Sequence, residues 1–269
     1  MKNILTRDFL FLSIFAAITN FCIASPFQRL NDTTLLADNK AKSGVMVREA
    51  NVEYPSLLEE HQAQSISYVQ HYSTKQREYL IKTYHKGEEY FPKIVPIFAQ
   101  YGLPEELKVL IALESDFKGS VVSRSGAVGY WQIMDEMALD YGLSIGKKSK
   151  NKKKKGGPDD RKNFYKSTVA AAKYLRNQYQ QFNNDILLTV ASYNCGSGSI
   201  LRAIKKSGVA TPTFWDIKKF LPAETRNYVM NFITLNVVFN NYDKFVNGDL
   251  LFASQMIPYS NPSAENLVN

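Results

Sequence analysis

Residues 104–114 have the sequence Pro-Glu-Glu-Leu-Lys-Val-Leu-Ile-Ala-Leu-Glu, which predicts a helix with proline at its first position and acid in its first turn. One apolar face of this helix, at the spacing i, i+3, i+4, i+7, comprises Leu107, Leu110, Ile111 and Glu114. A carboxylate on such a face is either paired or kept protonated, because desolvation disfavours its charged form. Glu114 is therefore either half of a structural ion pair or a carboxylic acid with the raised pKa that a general acid needs near neutral pH.

Length and composition predict a globular protein. The 269 residues can bury one good core with a small appendage. A hydrophobic content of 45% and an aromatic content of 13% exclude wholesale disorder. Helical patterns dominate from about residue 62, with further helices expected at 131–141, 167–182, 186–193 and from 222 onward. We find no strand-like alternation of any length, so the sequence predicts an all-α fold.

The N-terminus has the features of a secretory signal peptide. Lys2 and Arg7 precede an apolar run at 9–19, and Cys22-Ile23-Ala24 offers small residues for cleavage. We expect residues 1–24 to be removed; an uncleaved anchor and a lipoprotein attached through Cys22 are the alternatives. The protein would then be exported to the periplasm or cell envelope with Cys195 as its one cysteine, so an intramolecular disulfide is excluded.

The net charge of +8 is concentrated in one segment. Seven lysines lie in the run Lys147–Lys155, and the rest of the chain after residue 24 is neutral. A nucleic-acid-binding protein more often spreads basic and aromatic residues over a face, so we expect no nucleic-acid partner. The run is interpreted as a solvated surface loop, with contact to an anionic surface as the functional alternative.

Four segments carry the candidate chemistry. In chain order they are Glu-Ser-Asp-Phe at 114–117, Ser-Gly-Ala-Val-Gly-Tyr-Trp-Gln-Ile-Met at 125–134, Ala-Ser-Tyr-Asn-Cys-Gly-Ser-Gly at 191–198 and Leu-Pro-Ala-Glu-Thr-Arg-Asn-Tyr-Val at 221–229. Their order, spacing and content resemble the catalytic domain of the soluble lytic transglycosylase (SLT) family, which has a lysozyme-like fold. The resemblance spans roughly residues 65–240.

The resemblance implies cleavage of peptidoglycan between N-acetylmuramic acid (MurNAc) and N-acetylglucosamine (GlcNAc), giving 1,6-anhydroMurNAc products. Glu114 matches the family's single catalytic acid. It would protonate the glycosidic oxygen and then accept the proton of the MurNAc 6-hydroxyl group. Ordinary glycosidases commonly use two carboxylates, and Asp116 is placed poorly for a second one.

Five more positions match residues that line the family's substrate groove. They are Ser123, Gln132, Met134, Tyr193 and Glu224. In the family the tyrosine places its hydroxyl near the catalytic acid. Four of them also have a structural interpretation: a hydrogen bond that holds the fold for Gln132, apolar core for Met134 and Tyr193, and a helix N-terminal acid for Glu224. The three histidines match no metal-ligand spacing, and we expect neither a metal nor another cofactor.

Composition, periodicity and the resemblance together divide the chain into five expected segments. We expect a signal peptide at 1–24, a linker at 25–61, a helical extension at 62–95, the lysozyme-like catalytic domain at 96–245 and a tail at 246–269. Because the chain ends soon after its last helix, we expect no peptidoglycan-binding LysM repeats. The expected partners are peptidoglycan glycan strands and, for a protein that opens the wall, cell-envelope machinery. The alternatives are a lysozyme-like hydrolase on the same fold and a non-catalytic peptidoglycan-binding envelope protein.

Overall fold

The computed structural model describes residues 45–146 and 157–258. The expected signal peptide and the run Lys147–Lys155 lie outside these described residues. Residues 53–146 and 157–249 belong to one compact unit, and residues 45–52 and 250–258 belong to another. Within the described ranges, no helix combines the length and the apolar character that a membrane crossing requires.

The larger unit is helical, which confirms the predicted all-α class. Its α-helices are Gln62–Lys75 (α1), Arg77–Gln100 (α2), Leu110–Ser115 (α3), Asp135–Asp140 (α4), Phe164–Gln181 (α5), Ile186–Cys195 (α6), Ser197–Ser207 (α7), Phe214–Ile217 (α8), Ala223–Asn240 (α9) and Tyr242–Asn247 (α10). Four 3₁₀ helices accompany them, at Ser56–His61, Glu105–Val109, Asp160–Lys162 and Lys218–Phe220. The first of these lies at the end of the segment that the sequence assigned to a linker, and its Leu58 and His61 are buried.

The smaller unit contains two short strands that the sequence did not reveal. Val45–Arg48 (β1) and Gln255–Pro258 (β2) pair antiparallel, with Arg48 opposite Gln255. Four-residue strands are too short to show a clear alternation, and these two partners lie more than two hundred residues apart. The pairing is accompanied by a hydrogen bond from the Asn51 backbone N–H to the Leu251 carbonyl oxygen at 3.0 Å.

Helix α9 lies at the centre of the helical unit, where it contacts α1, α2, α3 and α6. Helices α6 and α9 are both apolar over most of their surface, as expected for helices enclosed by neighbours. The start of α9 agrees with the sequence prediction, since Pro222 precedes its first residue. This central helix brings its N-terminal half beside α3, the helix that carries Glu114.

The predicted Glu114 helix is present but differs at its start. Residues Glu105–Val109 form a 3₁₀ helix, and the α-helix begins only at Leu110. Such 3₁₀ turns are frequent at helix N-termini, and Pro104 lies just before the first turn instead of inside it. The helix ends at Ser115 because Asp116 and Phe117 have φ angles of 52° and 63°. Glu114 therefore lies in the last turn of α3.

The predicted helix at 131–141 is wrong over its first four residues, because α4 begins at Asp135. Val128 instead makes two isolated β-bridges, to Val122 and Ile133, and Gln132 has a φ angle of 46°. The Gly-rich segment thus folds into a tight multi-turn loop. Gly129 is required in it, since its φ is 86° and a Cβ atom would overlap the carbonyl oxygen of Arg161.

Candidate active site

The carboxyl group of Glu114 meets the side chain of Tyr228. The Tyr228 hydroxyl donates a hydrogen bond to Glu114 Oε1 at 2.5 Å. Tyr228 belongs to α9 and is itself buried, while Glu114 is half-buried. In the described part of the chain no basic side chain forms an ion pair with Glu114, so the ion-pair interpretation of this position is not supported.

Burial raises the pKa of Glu114 to about 8. The hydrogen bond from Tyr228 acts in the opposite direction, and the nearby carboxylate of Glu224 raises the pKa further. The carboxyl group is therefore mostly protonated at neutral pH. A neutral carboxylic acid in a polar, partly accessible position can donate a proton to a bound molecule.

Asp116, two residues away, is in a contrasting environment. Its carboxylate accepts hydrogen bonds from Lys86 Nζ at 2.6 Å and lies 2.9 Å from Lys118 Nζ. Burial acts to raise the pKa of Asp116, but the two lysines outweigh it and the pKa is lowered. Asp116 is therefore ionised and paired, and its role differs from that of Glu114.

Gln132 uses its amide group partly to hold the loop on which it lies. Nε2 donates hydrogen bonds to the carbonyl oxygens of Gly129 at 2.8 Å and Val121 at 3.4 Å. The side chain is buried, with 7% of its surface exposed. The fold-holding hydrogen bond expected from the amide is present, and Gln132 also lines the cavity described below.

Two hydroxyl groups fix the backbone next to Gln132. Ser115, the neighbour of Glu114, donates from Oγ to the Tyr130 carbonyl oxygen at 2.8 Å. Tyr193 of α6 donates to the Trp131 carbonyl oxygen at 2.7 Å. Trp131 itself is fully buried, so its ring packs in the core and offers no face to a sugar. The segment carrying Gln132 is thus tied to both α3 and α6.

Three of the predicted groove residues line one cavity of about 250 Å³. Its lining comprises Gln132, Met134, Glu136, Met137, Asp140, Tyr141, Tyr174, Tyr193 and Gly196. Glu114 does not line this cavity, but its neighbour Ser115 and the cavity residue Tyr193 both hydrogen-bond to the backbone of residues 130–131. The cavity combines aromatic and thioether surface with carboxylate and amide groups, a lining suited to amphipathic ligands.

The remaining two predicted residues lie elsewhere. Ser123 Oγ accepts a hydrogen bond from the Ala127 backbone N–H at 2.9 Å and lies 2.9 Å from Ser125 Oγ, so it shapes the Gly-rich loop. Glu224 lies in the first turn of α9, one turn before Tyr228, and is half-buried. Its charge raises the pKa of Glu114, which places it beside the catalytic candidate.

Nothing in the sequence alone assigned a role to Tyr228, although its place on the same helix face as Glu224 could be inferred. Tyr228 is four residues after Glu224, so the two share one face of α9. The family resemblance assigns the hydroxyl near the acid to Tyr193, whereas in this structure the hydroxyl bonded to Glu114 is that of Tyr228. Burial is the largest cause of the raised pKa of Tyr193, and the charge of Glu114 raises this pKa further. Tyr193 is therefore also near the acid.

Arg161 was also overlooked as a support for the site. Its buried guanidinium group pairs with Asp135 and with Asp159, the latter at 2.8 Å. It also donates to the Ile133 carbonyl oxygen at 3.3 Å. These contacts clamp the end of the loop that carries Gln132 to the 3₁₀ helix that contains Arg161. Asp160-Arg161 belongs to the stretch that resembles the family, but a charged residue just before a helix is too common to indicate this role.

Two of the three histidines interact with other side chains. His61 accepts a hydrogen bond from Trp215 Nε1 at 3.2 Å, and His85 lies 3.0 Å from both Glu88 and Tyr242. Within residues 45–146 and 157–258, no group of three or more His, Cys, Asp or Glu side chains is arranged to hold a metal ion.

Comparison with known proteins places the site in a family. Residues 98–213 match the family model described as the transglycosylase SLT domain. Over 173 residues the chain is 31% identical to membrane-bound lytic murein transglycosylase D of Escherichia coli strain K12, a match that covers 64% of this chain and 36% of that protein. The chain therefore spans about a third of the length of that relative.

Two solved structures are similar in part. The 70 kDa soluble lytic transglycosylase of Escherichia coli is 23% identical with a TM-score of 0.46, covering 70% of this chain and 31% of that one. An inactive mutant of lytic transglycosylase Slt from Pseudomonas aeruginosa is 21% identical with a TM-score of 0.45, covering 60% and 25%.

The matched region contains Glu114, the Gly-rich loop and Tyr193, and it ends before α9 begins. These residues carry the resemblance found in the sequence, and the family match confirms it. Over residues 98–213 the chain matches the transglycosylase SLT domain.

Proposed function

We propose that this protein is a peptidoglycan lytic transglycosylase that cleaves the MurNAc-β-1,4-GlcNAc bond and leaves 1,6-anhydroMurNAc ends. The observation that carries the proposal is the state of Glu114, a half-buried acid whose pKa is raised to about 8 inside an SLT-family domain. The name of the relative, a lytic murein transglycosylase, supports the same reaction class.

The first step requires a protonated acid. Because Tyr228 donates to Oε1, the proton of the neutral Glu114 lies on Oε2 and is available for transfer. Glu114 donates this proton to the glycosidic oxygen, the bond from that oxygen to C1 of MurNAc breaks, and the electron pair leaves with the oxygen. Tyr228 then stabilises the carboxylate that remains by the same hydrogen bond, which is stronger to a charged acceptor.

The second step uses the same group as a base. The Glu114 carboxylate accepts the proton of the MurNAc 6-hydroxyl, whose oxygen attacks C1 and closes the 1,6-anhydro ring. The two steps balance in protons and electrons without a water molecule. Glu114 ends as the neutral acid with which it began. A second acid of the ordinary glycosidase kind is not needed, and Asp116 is committed to Lys86 and Lys118.

Substrate contacts are assigned to the surfaces beside Glu114. Gln132, Met134 and Tyr193 line one cavity, which we assign to sugar or acetamido groups next to the scissile bond. Ser123 supports the loop that contributes Gln132 to this cavity. The negative charge of Glu224 raises the pKa of Glu114 and so favours its protonated form.

The setting of the reaction follows from the substrate. Peptidoglycan lies outside the cytoplasmic membrane, so we propose export to the periplasm or cell envelope, consistent with the signal-peptide features of residues 1–24. The run Lys147–Lys155 remains a proposed contact for anionic surfaces.

The test is product analysis on purified sacculi. Wild type should release muropeptides that are lighter by one water than the products of a hydrolase, and Glu114→Gln should release essentially none while still binding sacculi. Asp116→Asn is the matched control, because it neutralises a nearby carboxylate that takes no part in the reaction. Release by Glu114→Gln at the wild-type rate would overturn the assignment of the acid, and products that retain the water would identify a lysozyme-like hydrolase.

A further inference from the structure

Helix α1, which packs on α9, carries two tyrosines that lie outside the region matching the SLT family. Tyr68 and Tyr72 are four residues apart, so they share one face of the helix. Their ring planes are nearly parallel, at 14°, with centroids 5.8 Å apart. Both side chains are half-buried, so part of each ring remains accessible.

Tyr68 contacts α9, the same helix whose Tyr228 is bonded to the catalytic candidate. Tyr68 donates a hydrogen bond to Asn231 Oδ1 at 2.8 Å. Asn231 is three residues after Tyr228 on α9, so both lie on the helix face that leads to Glu114. Since Tyr228 is bonded to Glu114, the tyrosine pair and the acid lie along one edge of α9.

Tyr68 and Tyr72 lie outside the fully buried positions of α1. Those positions are Ser65, Val69 and Ser73, on a helix that contacts α9. Tyr68 and Tyr72 precede Val69 and Ser73 by one residue each and lie at the edge of that buried seam. Accessible rings that are uncharged and have a polar tip present an amphipathic surface on which a sugar ring can pack.

We propose that Tyr68 and Tyr72 form a saccharide subsite that extends the Glu114 groove along α1 and holds sugar rings remote from the scissile bond. This inference rests on the proposed function, because it assigns the subsite to the same glycan strand. A polymeric substrate fills such a subsite only when the strand is long enough to reach it. The subsite therefore predicts a preference for long strands.

The test compares two glycan strands freed of stem peptides: the shortest strand that the enzyme cleaves and a strand several disaccharides longer. Tyr72→Ala should lower kcat/KM on the long strand by about tenfold, the size expected for loss of one aromatic contact, and leave the short strand within about twofold. Tyr72→Phe should retain the wild-type preference, and Tyr72→Leu, which keeps apolar bulk for packing, should lose it.

Tyr165→Ala is the matched control, since Tyr165 is on α5 with 65% of its surface exposed and should change neither strand. Equal losses on both strands for Tyr72→Ala and Tyr72→Leu, or no loss on either, would overturn the subsite while leaving the role of Glu114 intact. If wild type cleaves neither strand, the proposed function fails. The subsite is then tested by binding: the affinity of Glu114→Gln for the long strand is compared with that of the double variant Glu114→Gln/Tyr72→Leu. A lower affinity of the double variant supports the subsite, and an equal affinity overturns it.

Discussion

The Tyr228 hydroxyl and the Glu114 carboxyl group are joined by a hydrogen bond of 2.5 Å between α9 and α3. The bond favours the ionised form of Glu114, while burial and the charge of Glu224 favour the protonated form. The balance leaves the pKa at about 8, high enough to donate a proton at neutral pH and low enough to release it.

Removal of the Tyr228 hydroxyl should move the alkaline limb of the pH profile. In wild type, kcat/KM should fall as pH rises through about 8, because the acid must be protonated. Tyr228→Phe removes the interaction that lowers the pKa, so its limb should lie at higher pH while the maximal rate falls by about tenfold or more. The measurement is kcat/KM across pH 5 to about 10. A limb at the wild-type position, or one shifted to lower pH, would contradict this role of Tyr228.

Glu114 should make stability depend on pH. Its folded-state pKa of about 8 exceeds the ordinary value of 4.5, so the folded protein binds more protons between these values. Stability is therefore full below about pH 4.5 and is lost as pH rises through about 8. Glu114→Gln removes this loss, and its free energy of unfolding relative to wild type should increase by at least about 1 kcal/mol between pH 5 and 8.

Denaturant unfolding at the two pH values measures this difference. Asp116→Asn provides the opposite sign, because the folded-state pKa of Asp116 is lowered and its contribution to stability is present above its ordinary pKa. That variant should be less stable than wild type at neutral pH and approach it in acid. A Glu114→Gln variant whose relative stability is independent of pH would show that the acid is not perturbed.

Loss of the buried guanidinium group of Arg161 should lower the free energy of unfolding more than loss of the exposed carboxylate of Asp135, its ion-pair partner. Arg161 has 7% of its side chain exposed, and Asp135 has 68% exposed. Arg161→Ala leaves Asp159 and the Ile133 carbonyl without their donor and should lower the free energy of unfolding by about 3 kcal/mol. Asp135→Asn should cost less than about 1 kcal/mol. Thermal and denaturant unfolding provide the comparison, and equal effects of the two substitutions would refute the clamp.

Two glycines of the same loop should respond differently to alanine. Gly126 and Gly129 both have positive φ angles, of 91° and 86°. A Cβ atom at Gly126 would enter open space, so Gly126→Ala should cost only the backbone strain of about 1–2 kcal/mol. Gly129→Ala would also collide with the Arg161 carbonyl, and it should be more destabilising by about 2 kcal/mol and reduce activity. Similar unfolding free energies for the two variants would contradict the described loop packing.

Periodicity in the sequence was sufficient for much of the fold and for placing Glu114 on an apolar face, while the choice of a catalytic acid over an ion pair came from the family resemblance. The spacing of Leu107, Leu110, Ile111 and Glu114 placed a carboxyl group on an apolar face, and the structure finds its pKa raised by burial. Pro222 likewise predicted where α9 begins. These features are local, so a single helical pattern contains them.

The features that escaped prediction depend on contacts distant in sequence or on unusual backbone angles. Tyr228 fits the apolar pattern of α9, and only the packing of α9 on α3 brings it to Glu114. The non-helical start of the 131–141 segment follows from the positive φ of Gln132 and from the pairing of Ile133 with Val128. A residue such as glutamine carries no signal for that conformation.

The most direct measurement is a titration of the Glu114 side-chain carboxyl carbon by NMR, with Glu114→Gln used to assign its resonance. The account predicts a midpoint near pH 8, with the group protonated at neutral pH. A midpoint near the ordinary value of 4.5 would mean that the carboxyl group is already charged at neutral pH, and it would contradict the role of Glu114 as the proton donor.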